Sequence, residues 1–166
     1  VVDICTGWGC LAVLAAKFFP AATVDAVDLS ADALEVAELN IAEHDVAGQV
    51  NLFEGDLFAP LAGRTYDLII TNPPYVDQEA LDGYPPEFRA EPKMAHDGGE
   101  DGLDLVRRIL ADAPAYLNPE GGMICEIGSG REILEEEFPH LDFVWLETEQ
   151  SQDAVFWISA EALGVA

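Results

Sequence analysis

The segment Tyr66-Asp67-Leu68-Ile69-Ile70-Thr71 reads as a buried strand, and it runs directly into Asn72-Pro73-Pro74-Tyr75. A residue before proline is pushed towards extended backbone, so Asn72 is held out of the helical region. Pro73 and Pro74 stiffen the turn and donate no N–H, which leaves their carbonyls as acceptors. The turn therefore offers a side-chain carbonyl (Asn72), a backbone carbonyl (Pro73) and an aromatic face (Tyr75). Two acceptors so placed suit both hydrogens of a planar NH₂ group. Drawing those hydrogens out of plane re-aims a conjugated lone pair and stabilises positive charge developing on nitrogen. Asn72, Pro73 and Tyr75 are the candidate catalytic residues, with Pro74 completing the substrate-binding turn.

A second constellation lies at the start of the chain. Asp3-Ile4-Cys5-Thr6-Gly7-Trp8-Gly9-Cys10-Leu11-Ala12 passes from a strand through a glycine turn into a helix. Gly7 and Gly9 permit a sharp turn and close approach of a ligand. Asp28 ends the next strand, followed by Leu29, and Gly55-Asp56-Leu57 follows the third. In an open parallel sheet such strand ends meet at one crevice. Three carboxylates there (Asp3, Asp28, Asp56) suit an amino group, a ribose diol and an adenine amine, and they repel a pyrophosphate. S-adenosylmethionine carries those groups, a positive sulfonium and no phosphate. Asp3, Gly7, Gly9, Asp28 and Asp56 are the residues these groups point to; Thr6, Leu29, Leu57 and Asn72 complete the candidate cofactor set.

The elements that must position these residues follow from hydrophobic period. Strands are expected at Val1 to Cys5, Thr23 to Asp28, Val50 to Glu54, Tyr66 to Thr71, Met123 to Ile127, Phe143 to Glu147 and Ala154 to Ser159. Helices are expected at Cys10 to Phe18, Ala31 to His44 (capped by Ser30), Gly102 to Tyr116 and Arg131 to Phe138. Pro119-Glu120-Gly121-Gly122 reads as punctuation between elements. The alternation predicts one α/β domain with a doubly wound, mainly parallel sheet. The last two strands have only the short turn Thr148 to Asp153 between them, so the final strand should run antiparallel. Residues 76–101, rich in proline and glycine, form a long loop after the Asn-Pro-Pro-Tyr turn and are expected to act as a substrate lid.

These motifs resemble class I methyltransferases, and within them the protein-glutamine N(5)-methyltransferases. The resemblance covers nearly the whole chain. It rests on Asp3 to Gly9, Val27-Asp28-Leu29-Ser30, Gly55-Asp56-Leu57-Phe58, Thr71 to Val76, Glu91-Pro92 and Asp101-Gly102-Leu103-Asp104. The last third, Ile124-Cys125-Glu126-Ile127-Gly128 and Phe143 to Glu147, is most similar to the branch acting on large ribosomal subunit protein three. The sister branch acts on release factors. The resemblance implies a Rossmann-like seven-stranded sheet with its last strand reversed and a helical N-terminal substrate-recognition domain. It implies that Asp3 and Gly7 flank the methionine part of the cofactor, Asp28 the ribose, and Asp56 with Leu57 the adenine. It also implies that Asn72 and Pro73 hold a glutamine amide, with Tyr75 against it. The family has a small residue where this chain has Trp8.

Composition narrows the partners. The chain carries 32 acidic and 7 basic residues, a formal charge of −25. Such a field repels phosphate backbones, which disfavours nucleic acid. It suits either a high-salt setting or a basic protein substrate. The rival readings are exocyclic-amino methylation of a DNA or RNA base, a scaffold without activity, and a nicotinamide-dependent oxidoreductase. The last leaves the Asn72 to Tyr75 turn without a role. Cys5, Cys10 and Cys125 are too few and scattered for a disulfide framework, which points to a reducing, cytoplasmic setting. No run reaches the roughly 18 apolar residues of a membrane span. His44, His96 and His140 lack metal-ligand spacing, and Glu126 reads as a structural carboxylate. The opening Val1-Val2-Asp3-Ile4 reads as a strand already under way, so a preceding segment is expected.

Overall fold

The computed structural model describes residues 1–76, 98–147 and 153–165. Seven strands form one sheet: β1 (Val2–Ile4), β2 (Val24–Asp28), β3 (Val50–Glu54), β4 (Tyr66–Thr71), β5 (Leu117–Glu126), β6 (Val144–Trp145) and β7 (Val155–Ser159). Their order is β3-β2-β1-β4-β5-β7-β6. The pairs from β3 to β5 are parallel, whereas β7 runs antiparallel to both β5 and β6. The reversed last strand is as expected, although residues 148–152 of its turn lie outside the described residues.

Helices α1 (Cys10–Phe18) and α2 (Ala31–Glu43) cover one face, and α3 (Asp104–Asp112) and α4 (Arg131–Glu137) cover the other. Side chains alternate across a strand, and β1 shows the consequence. Val2 and Ile4 enter the larger core with Ile69, Leu103, Val106, Ile109, Met123, Leu134, Phe156 and Ile158. Asp3, between them, points to the α1 face. The smaller core joins Ala12, Val13 and Ala16 of α1 to Val24, Ala26, Ile41 and Val50. Ser30 caps α2 as expected, its hydroxyl accepting from the Ala33 amide at 3.2 Å. Among the described residues no helix is long and apolar enough to cross a membrane.

Three boundaries depart from expectation. β5 begins at Leu117, so Pro119 to Gly122 lie within the strand and not between elements. The β4 register jumps from Tyr66–Leu117 to Leu68–Gly122. The intervening residues bulge out of the ladder, where a proline costs no paired N–H. α3 stops at Asp112 and gives way to a tight turn over Ala113–Ala115. Pro114 cannot donate to a helical carbonyl and forces that stop. β6 shrinks to two residues, as suits an exposed sheet edge.

A polar staple at the far end of the sheet escaped the sequence reading. Asp25 on β2 is buried and accepts from Asn51 Nδ2 (2.9 Å), Arg64 Nη1 (2.6 Å) and the Tyr66 hydroxyl (2.8 Å), tying β2, β3 and β4 together. Burial and the hydrogen bond to Asp25 push the Tyr66 phenol above its ordinary range. Asp25→Ala leaves that hydroxyl without its acceptor, and an expected loss of about 1–3 kcal/mol follows. Denaturant unfolding measures it; an unchanged midpoint would show that water replaces the carboxylate.

Candidate active site

The carboxyl ends of β3, β2, β1, β4 and β5 lie side by side along one sheet edge, and neighbouring strands sit about 4.8 Å apart. These five ends therefore span about 20 Å, and Asp3 and Asp28 of β1 and β2, with the loops after β1 to β4, carry the candidate cofactor and substrate residues. Cys5 (φ 60°) and Leu57 (φ 49°) hold left-handed backbone without being glycine, just beyond β1 and β3. Strain of that kind concentrates at functional sites.

Asp3 is fully buried beneath the first loop. Its Oδ2 accepts the Thr6 hydroxyl at 2.5 Å, while Oδ1 is buried with no partner among the described residues. Burial raises the carboxyl to about 7; the Thr6 hydroxyl and the Ala12 amide oppose that rise, and the nearby charge of Asp28 adds to it. A buried acid with a spare oxygen is poised for a cationic partner. Cys5 alongside is pushed up to about 12 by burial, so it stays a neutral thiol and is no nucleophile.

Asp28 closes the glycine loop. Its Oδ2 accepts the Gly7 amide at 2.8 Å and its Oδ1 the Ser30 amide at 2.9 Å. Each oxygen keeps a further lone pair for a hydroxyl. Leu29, next along, is 56% exposed. Gly9 (φ 80°) starts α1, and a Cβ there would sit 3.1 Å from Ala37 Cβ, so this glycine serves the close packing of α1 on α2. Trp8, the departure from the family pattern, is 58% exposed, and its carbonyl accepts Asn40 Nδ2 at 2.8 Å.

After β3, the Gly55 amide donates to the Asp28 carbonyl at 2.9 Å, and Leu57 is buried. Asp56 is exposed and meets Arg108 Nη2 of α3 at 2.7 Å. Arg108 was not anticipated; no local pattern links residues 52 apart. After β4, the Thr71 hydroxyl donates to the Ile4 carbonyl at 2.7 Å and fixes the exit of the strand to β1. Asn72 is exposed, Pro73 buried, and Pro74 and Tyr75 half-buried. The expected lid lies mostly outside the described residues, but both its ends return to the site. The Gly98 amide donates to the Val76 carbonyl, and the Asp104 amide to the Gly98 carbonyl, each at 3.0 Å.

An expected consequence concerns Asp28. Asp28→Ala removes the acceptor of two loop amides, and cofactor affinity is expected to fall by about 1–3 kcal/mol. Calorimetric titration reads the change, and an unaltered dissociation constant would show that the loop shape does not depend on this carboxylate.

A seven-stranded sheet in this order, with β7 reversed between β5 and β6, is the class I methyltransferase fold. The chain belongs to the Methyltransferase small domain family, whose model matches residues 1–84. It is 63% identical over 98% of its length to a ribosomal protein uL3 glutamine methyltransferase of Bradyrhizobium diazoefficiens, covering 51% of that protein. It is 51% identical, over 98% of its length, to the protein of the same name from Bordetella pertussis, covering 54% of it. The chain thus spans about half the length of the curated relatives it matches. Among solved structures, a methyltransferase from Pyrococcus furiosus aligns with TM-score 0.67 at 20% identity, over 94% of this chain and 73% of that one. A ribosomal protein L11 methylase from Lactobacillus delbrueckii subsp. bulgaricus aligns at 0.66 and 20%, over 95% and 67%.

Proposed function

We propose that this domain transfers a methyl group from S-adenosylmethionine to the side-chain amide nitrogen of a glutamine in ribosomal protein uL3, in the cytoplasm. The observation that carries the reading is the Asn72-Pro73-Pro74-Tyr75 turn, set at the carboxyl end of β4 beside an acidic crevice that disfavours phosphate. The relatives' names supply the substrate protein.

The spare buried oxygen of Asp3 fits the cofactor's ammonium group, Asp28 its ribose diol, and Asp56 with Leu57 its adenine. When bound, S-adenosylmethionine supplies an electrophilic methyl on a positive sulfonium. Asn72 Oδ1 and the Pro73 carbonyl each accept one amide N–H of the glutamine, turning the nitrogen lone pair out of conjugation. The Tyr75 ring confines the amide from one side. As the amide nitrogen would take the methyl, the S–CH₃ bond would break with its electron pair returning to sulfur as a neutral thioether. The nitrogen would then release one proton to solvent, so no base is required before the transfer. Fixing nucleophile and electrophile in line converts binding into rate.

One further observation favours a protein over a nucleic acid. Each of the four described arginines is engaged by carboxylates: Arg64 by Asp25, Arg107 by Asp101, Asp104 and Glu137, Arg108 by Asp56, and Arg131 by Glu135 and Asp153. Among the described residues little basic surface remains to guide a phosphate backbone. Mass spectrometry after incubation of the full-length enzyme with cofactor and separate pools of uL3, release factor and RNA tests the reading. A one-methyl gain on a uL3 glutamine supports it. The same gain on the release factor alone moves the substrate to the sister branch, and a methylated base with both proteins untouched overturns it.

A further inference from the structure

We propose that Glu126 is a positioning residue for the methyl acceptor, acting through Tyr75. The inference rests on the reading of Asn72 to Tyr75 as the amide-holding turn.

Glu126 is the last residue of β5, paired across the sheet with Val155 of β7. Its Oε1 accepts the Tyr75 hydroxyl at 2.9 Å, across 51 residues of sequence. Two residues on, Gly128 holds φ +59°, and a Cβ there would lie 2.6 and 2.8 Å from Cδ2 and Cε2 of the Tyr75 ring. The bare backbone of Gly128 is therefore the surface on which the ring lies. A Cβ at Gly98 would approach Tyr75 Cα to 2.8 Å, so the backbone of the turn is confined as well. Hydroxyl, ring and main chain of Tyr75 are each fixed by a different residue.

Carboxylates at strand ends commonly pair with a cation, but the described arginines are committed to other acids. The Tyr75 hydroxyl thus meets an ionisable carboxylate, and a hydrogen bond to a charged acceptor is about twice as strong as a neutral one. It also enriches the phenol ring with electron density, which favours positive charge at the ring face. The amide nitrogen acquires such charge as the methyl arrives. Glu126 thereby sets both the orientation of Tyr75 and the electrostatic character of the surface it presents.

A double-mutant cycle on the full-length enzyme tests this, with kcat, KM, cofactor affinity and melting temperature measured for Glu126→Ala, Glu126→Gln, Tyr75→Phe and the pair Glu126→Ala with Tyr75→Phe. Glu126→Ala is expected to lower kcat about ten- to hundred-fold with cofactor affinity unchanged. Glu126→Gln, whose amide oxygen still accepts the phenol but carries no charge, recovers part of that loss. The pair is no worse than Tyr75→Phe alone, because the two residues act as one. Where Glu126→Ala does not fold, Glu126→Gln with and without Tyr75→Phe carries the cycle, and the pair is again no worse than Tyr75→Phe alone. Multiplicative losses in the pair, or equal losses for Glu126→Gln and Glu126→Ala, overturn the proposal. A wild-type enzyme that methylates no glutamine overturns the underlying reading instead, so the two failures are distinct.

Discussion

Asn72→Ala is expected to lower methyl transfer by about 10²–10³-fold, the typical cost of removing one preorganised electrostatic contact, while cofactor binding persists. The residue leaves β4 directly, and the strand exit is pinned by the Thr71 hydroxyl on the Ile4 carbonyl. The following Pro73 is buried, so the turn keeps its course without the Asn72 side chain. On the proposed reading, what disappears is one of the two acceptors for the amide hydrogens. The Pro73 carbonyl alone leaves one N–H free to stay in plane, and the lone pair remains conjugated. The loss is therefore in kcat, because the contact strengthens as charge develops on nitrogen. Steady-state kinetics with the protein substrate, beside a calorimetric cofactor titration, separates the two effects. Parallel loss of turnover and cofactor affinity would place Asn72 at the cofactor and not at the amide.

The shape of the Asn72 to Tyr75 turn was legible because it is set locally. Proline restricts its own backbone and that of the residue before it, so four consecutive residues define the shape. Strands β3 and β4 and helix α1 matched their expected bounds, since each is a short apolar or amphipathic run ended by a turn residue. The β5 bulge was not legible. Pro119 to Gly122 has the composition of a turn, and only the pairing of Leu117 and Gly122 on either side of the bulge with β4 draws it into the strand. Asp25 gave no local signal, because its partners stand 26, 39 and 41 positions away. Glu126 was read as structural for the same reason. Its meaning lies in Tyr75, and only the crossover from β4 to β5 brings the two together. Properties set by neighbours in sequence are readable from sequence. Properties set by register across the sheet are not.

Asp3→Asn is expected to stabilise the cofactor-free domain near pH 8 and to weaken cofactor binding at the same time. The folded carboxyl is raised from 3.8 to about 7, chiefly by burial. Holding it ionised in the fold costs on the order of 4 kcal/mol, at 1.36 kcal/mol for each pH unit. The sign follows from linkage: the protonated form favours the fold, so this contribution is fully present below pH 3.8. It erodes as pH rises and is gone above about 7. Asparagine can keep the Thr6 hydrogen bond and never ionises, so its melting temperature should exceed wild type at pH 8 and match it near pH 4. Cofactor binding runs the other way. The ionised Asp3 attracts the cofactor's ammonium through the oxygen that has no partner among the described residues, so wild-type affinity should rise from pH 5.5 to 8 and level off above about 7. Below that point binding expels the Asp3 proton, which calorimetry in buffers of different ionisation enthalpy detects. The asparagine variant should bind about ten- to hundred-fold more weakly at pH 8 and lose this pH dependence. Wild-type affinity that is flat across this range, or an asparagine variant that binds as tightly, would mean that the ammonium is held elsewhere. The residue that makes the apo fold weaker is then the one that makes the crevice selective for a cation, and the two effects should vanish together in a single substitution.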